Sequence, residues 1–145
     1  MPAEAIRGLL LNCGPYDLSI VDGPSGLLGW AAHTIGWSYL GKRDYLDDPL
    51  TSTLSLVDHV YPGFPPVYLS GGNGDPLTTG GKLYAQRLAE AGTQVDTLFV
   101  PDDYTDPTSS EKPPHEYQFD LRLDAAQTSL ERTLAFLDAH TSGKA

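Results

Sequence analysis

Val67-Tyr68-Leu69-Ser70-Gly71-Gly72-Asn73-Gly74-Asp75-Pro76-Leu77 is the stretch that decides the fold. Pro66 to Ser70 is short, uncharged, β-branched and aromatic, which predicts a buried strand. Three glycines and an asparagine break the extended run, and Asp75 follows at the strand's carboxyl end. Pro76 fixes the backbone right after that carboxylate, and a helical pattern begins at Thr78 or Thr79. A carboxylate on a stiff loop just past a parallel strand is where open α/β sheets keep their chemistry.

Downstream, the spacing predicts a helix body from about Gly81 to Ala91, with Tyr84, Leu88 and Ala91 on one face and Gly92 as its stop. Val95 to Val100 alternates less than a surface strand would and reads as a further parallel strand. Upstream, Ile6 to Cys13 is an apolar run of the kind covered on both faces, ended by the turn chemistry of Gly14-Pro15-Tyr16-Asp17-Leu18. Strand, helix, strand, helix, strand is the pattern of an α/β protein with right-handed crossovers.

The rest of the chain is less regular. Trp30, Ala31, Ile35, Trp37, Tyr39 and Leu40 form a weakly helical stretch interrupted by Gly29, Gly36 and Gly41. Its two tryptophans fit an apolar pocket or the core equally well. Asp47-Asp48-Pro49-Leu50 reads as a turn, and Leu54 to Val60 as a short helix or an extended segment. Pro101 to Pro114 is a polar loop rich in proline and acid, and long ordered loops of this kind are functional or mobile. Asp124-Ala125-Ala126-Gln127 resembles a capping box, opening a last helix with Ala126, Leu130, Leu134 and Leu137 on one face.

With 145 residues, 1–145 is one domain's worth of chain, long enough to bury a core. A net charge of −10 offers no basic stripe to phosphates and argues against nucleic acid. The single Cys13 excludes a disulfide framework, and its apolar surroundings predict a buried structural thiol. Met1-Pro2-Ala3-Glu4 has no signal-peptide pattern, and no apolar run approaches the ~20 residues that span a bilayer. These features lead us to expect a soluble, cytoplasmic protein.

Asp75 is followed forty positions later by His115, in Pro113-Pro114-His115-Glu116-Tyr117-Gln118-Phe119, again after a strand and before a helix. An Asp and a His on successive strand-to-helix loops are two thirds of an acid–base–nucleophile triad. Asp17 also lies past a strand's carboxyl end and competes with Asp75, but it reads first as a cap of the following turn. His59 reads as structural, because nothing around it is punctuated like an active-site loop.

Gly14-Pro15-Tyr16-Asp17-Leu18, Phe64-Pro65-Pro66, Asp75-Pro76-Leu77 and His115-Glu116-Tyr117-Gln118-Phe119, in that order, resemble the C-terminal half of α/β-hydrolase-fold esterases of the hormone-sensitive-lipase-like family. The resemblance covers nearly the whole chain, least of all Gly23 to Arg43. It implies a partial α/β-hydrolase sheet: three parallel strands, the equivalents of the sixth to eighth, with flanking helices. It makes Asp75 the triad acid and His115 the base of a serine carboxylic-ester hydrolase, with no cofactor and no metal. The family's nucleophile sits in a Gly-x-Ser-x-Gly elbow and its oxyanion hole draws on a His-Gly-Gly motif. This sequence contains neither. Gly36-Trp37-Ser38-Tyr39-Leu40 lacks the second glycine, and Ser25 lacks the spacing.

The leading expectation is therefore a C-terminal portion of such an enzyme, inactive alone, acting on a small acyl ester once joined to an upstream half. The alternative is a non-catalytic interaction module that pairs, or self-associates, through the exposed edge of its first strand. A third reading, a metal site built from His115 with Glu116 and Asp102 or Asp103, has a single histidine to support it.

Overall fold

The computed structural model describes residues 5–17, 26–49 and 53–142. Strands β1 (Leu9–Asn12), β2 (Val67–Gly71) and β3 (Val95–Phe99) form one parallel sheet in the order β1-β2-β3. β2 is central and all five of its residues are buried, as its uncharged sequence requires. β1 pairs with it from Leu9 opposite Val67 to Asn12 opposite Ser70. That leaves β1 and β3 at the two edges among the described residues.

Helix α1 spans Gly26–Leu40, α2 spans Thr78–Glu90 and α3 spans Asp124–Thr141. The period of two along β2 sorts its side chains between the latter two helices. Val67 and Leu69 join Tyr16, Val57, Tyr84, Ala85 and Leu88 in a core on the α2 side, against which Leu9 and Leu11 pack. Tyr68 faces the other way, with its ring 6.0 Å from that of Phe136 in α3. The sheet is thus sandwiched between α2 and α3.

Several sequence expectations change. α2 begins at Thr78, where the helical pattern opens, and Gly92 stops it as expected, at φ 84° where a side chain would be strained, but Ala91 caps the helix instead of lying on its buried face. α1 runs unbroken through Gly29 and Gly36, and Tyr45 packs over Gly36 with its ring stacked on His33. Trp30, Ile35, Trp37 and Tyr39 are exposed, so the tryptophans are not core. Within Leu54–Val60 the structure forms a single 3-10 turn, Leu56–Asp58.

The last helix differs most. It buries Ala125, Ala126, Ser129 and Phe136, while Leu130, Leu134 and Leu137 form an exposed stripe. The capping box is also absent. Asp124 is the first helical residue, and the carboxylate that caps α3 comes from the preceding loop. The Ala125 N–H donates to Asp106 Oδ2 at 2.9 Å, and the Thr108 N–H donates to its Oδ1 at 2.9 Å. Asp106 is fully buried and holds that loop to the helix. Burial opposes its ionisation, but the N–H groups of Ala125, Thr108 and Ser109 outweigh it and hold the carboxyl below its ordinary range.

Among the described residues, no helix is long and apolar enough to cross a membrane.

Candidate active site

Two loops leave the carboxyl ends of β2 and β3 and meet backbone to backbone. The first is 72–77; the second runs from Pro101 to the 3-10 turn Tyr117–Phe119. The Gly74 N–H donates to the Pro113 carbonyl at 2.9 Å. A Cβ on residue 72 would lie 2.2 Å from that same carbonyl oxygen, so only glycine allows the approach. Asn73 ties the other end of the long loop. Its amide donates to the carbonyls of Pro101 at 2.8 Å and Tyr104 at 2.7 Å.

That contact brings Asp75 and His115 together. Asp75 Oδ2 lies 3.0 Å from His115 Nδ1. The other carboxylate oxygen accepts the Leu77 N–H at 2.9 Å, and the Thr78 N–H donates to the Asp75 carbonyl at 3.2 Å. The carboxylate is completely buried, whereas the imidazole is 47% exposed. In the tautomer that donates from Nδ1 to this carboxylate, the other ring nitrogen is free of the contact. Glu116, immediately after the histidine, has a left-handed backbone at φ 59° and ψ 27°. Strained backbone of this kind costs on the order of 1–3 kcal/mol and collects at functional sites.

Cys13, the residue after β1, has φ 51°, and its thiol lies within 4.8 Å of donor atoms of both members of this pair. Its thiol meets Gln118, with Nε2 donating to Sγ at 3.2 Å. Gln118 also donates to Ser70 Oγ at 2.8 Å, and Ser70 donates to Asn12 Oδ1 at 2.6 Å. One side chain therefore joins the 3-10 turn after His115 to the ends of β1 and β2. Burial pushes the Cys13 thiol above its ordinary range, opposed by Gln118 and the Glu116 backbone and reinforced by the Asp75 charge. It is a buried thiol without the low pKa a nucleophile needs.

The other candidates lie elsewhere. Asp17 is half-buried outside the Asp75–His115 pair, and His59 is exposed. Ser38 is an exposed helical residue whose hydroxyl donates to the Thr34 carbonyl at 2.8 Å; Ser25 falls outside the described residues. Asp102 and Asp103 are exposed and do not share the His115 cluster, whose members are Cys13, Asp75 and His115. Gln118, Ser70 and Asn73 were not singled out from sequence.

No protein-family model and no curated protein sequence matches the chain. Solved structures do. A bacterial heroin esterase superposes with a TM-score of 0.70 at 21% identity, over 95% of this chain and 44% of its own. The fold is that of an α/β-hydrolase, in part. An esterase from the fungus Rhizomucor miehei gives a TM-score of 0.66 at 22% identity, over 94% of this chain and 43% of its own. A bacterial brefeldin A esterase, described as a homologue of human hormone-sensitive lipase, gives 0.56 at 23%, over 91% and 38%. The chain spans less than half the length of each of these structures. Within a hydrolase sheet of this kind, β1-β2-β3 is a run of adjacent parallel strands with Asp75 and His115 beyond their carboxyl ends.

Proposed function

We propose that residues 1–145 are the C-terminal part of an α/β-hydrolase catalytic domain and supply the acid and base of a serine carboxylic-ester hydrolase. The observation that carries this reading is the 3.0 Å contact between a fully buried Asp75 and a half-exposed His115. Asp75 accepts the Nδ1 proton, fixes the tautomer and stabilises the imidazolium. Nε2 then takes the proton of a serine hydroxyl as its oxygen attacks the acyl carbonyl, and returns it to the departing alcohol. In the second half, Nε2 takes a proton from water as water attacks the acyl-enzyme, and the serine leaves carrying that proton. The serine belongs to a Gly-x-Ser-x-Gly segment supplied by an upstream half. The substrate is a small acyl ester, and the chain is inactive without that half.

Adding such an N-terminal half, fused or in trans, tests this. Labelling by a fluorophosphonate is expected only when both halves are present, on the serine of the added half. Labelling of this chain alone, at Ser25 or Ser38, would overturn the reading.

A second reading is favoured by β1, which has no strand on its outer side among the described residues. There Leu10 is exposed on the α3 side of the sheet, and the Leu130-Leu134-Leu137 stripe lies uncovered on α3 itself. Under this reading the chain is a non-catalytic module that pairs through the edge.

A further inference from the structure

We infer that Cys13, Asp75 and His115 form a binding site for a borderline-soft divalent cation, Zn²⁺ above all. One donor atom from each of the three lies within 4.8 Å of the others, and the carboxylate–imidazole pair is already at 3.0 Å. A tetrahedral Zn²⁺ with sulfur at about 2.3 Å and nitrogen or oxygen at about 2.0–2.2 Å needs donor atoms roughly 3.3–3.6 Å apart. The pair meets that spacing with little movement. The thiol, within 4.8 Å of the other two donors, has to approach by up to about 1.5 Å to complete the set. One sulfur, one imidazole nitrogen and one carboxylate oxygen are a zinc-type donor set rather than a magnesium or calcium one.

The surroundings suit an ion. Asp75 and Cys13 are buried and the His115 ring is half-exposed, so the three donors lie at the border between core and solvent. Asp75 keeps its Leu77 N–H on the oxygen turned away from the imidazole, an outer contact that would orient the ligand carboxylate. Binding requires Gln118 to release Sγ, a weak contact at 3.2 Å, while it keeps its hydrogen bond to Ser70. The ion would stand where the imidazole's bridging proton is, so a loaded site has no free Asp–His pair. The site depends on these three donors alone and not on the hydrolase reading.

Calorimetry of the complete chain with Zn²⁺ alone, and absorption spectroscopy with Co²⁺, test the inference. One equivalent is expected to bind, and the Co²⁺ form should show a thiolate-to-metal charge-transfer band. Cys13→Ser and His115→Ala, each checked for folding by circular dichroism, should weaken binding by more than the roughly 10–100-fold that loss of an outer-shell partner costs. No uptake by the wild-type chain would overturn the site. So would unchanged affinity in Cys13→Ser, or a Co²⁺ complex without the charge-transfer band, because either would put the ion on exposed histidines.

Discussion

The carbonyl oxygen of Pro113 occupies the space a side chain on Gly72 would need, 2.2 Å from the ideal Cβ position. The obstacle is backbone, which cannot swing aside as a flexible side chain can. The same Pro113 carbonyl accepts the Gly74 N–H, so the two loops are pinned two residues before His115 and one residue before Asp75.

Gly72→Ala is therefore expected to push the His115 loop away from Asp75. Overpacking of this kind costs about 1–3 kcal/mol, measurable by urea unfolding of the single chain. In a complemented enzyme the same change should lower turnover about 10²-fold, the typical cost of a 1 Å misplacement. Equal stability and equal turnover would show that the loops can separate without consequence.

Cys13 is expected to behave as a buried thiol. Its alkylation by iodoacetamide at pH 8 should be at least about tenfold slower in the native chain than in urea, because burial raises its pKa and shields Sγ. Comparable rates in the two states would mean that the thiol is open and ionised.

Both pH limits carry a sign. Asp106 has a depressed folded pKa, so its stabilisation is present above the ordinary carboxylate range of about 4 and is lost as pH falls through the lower folded value. The stability gap between wild type and Asp106→Asn should close in acid. Burial pushes the phenols of Tyr16 and Tyr117 up to about 12. Their neutral forms stabilise the fold fully below about pH 10, and that contribution is lost as pH rises through the folded values. Denaturant titrations across pH 2–12 check both limbs, and a flat alkaline limb to pH 12 would contradict the burial of these rings.

At the β1 edge, the isolated chain is expected to self-associate with increasing concentration, since among the described residues no strand covers the outer side of β1 beside exposed Leu10. Leu10→Lys should reduce this in light scattering, as edge lysines do elsewhere. A monomer at every concentration, with or without the lysine, would count against pairing through this edge.

Much of the layout was legible because it rests on local signals. β2 is uncharged and followed by glycines, and Asp75 sits where that strand gives way to a helix, while His115 closes the long loop between β3 and α3. What escaped depends on side chains distant in sequence. Nothing near Asp124 shows that Asp106 caps the helix, because that hydrogen bond crosses 19 residues. The Leu130-Leu134-Leu137 spacing has the period of a buried face, yet the packing surface is set by Phe136 meeting Tyr68 across the sheet. Cys13 reads as an apolar core residue from its neighbours, and only the fold shows that it lies against Asp75 and His115.

Asp75 and His115 are the proposed acid and base. The most direct measurement is turnover of an activated ester by the complemented enzyme, comparing Asp75→Asn, Asp17→Asn and His115→Ala. His115→Ala should remove nearly all activity, on the order of 10⁶-fold, as loss of a triad base does. Asp75→Asn should keep the fold and lose about 10⁴-fold through the wrong imidazole tautomer. Asp17→Asn should leave turnover near wild type and cost about 1 kcal/mol of stability as a lost turn cap. A crippled Asp17→Asn beside a nearly silent Asp75→Asn would place the acid one strand earlier and contradict the assignment.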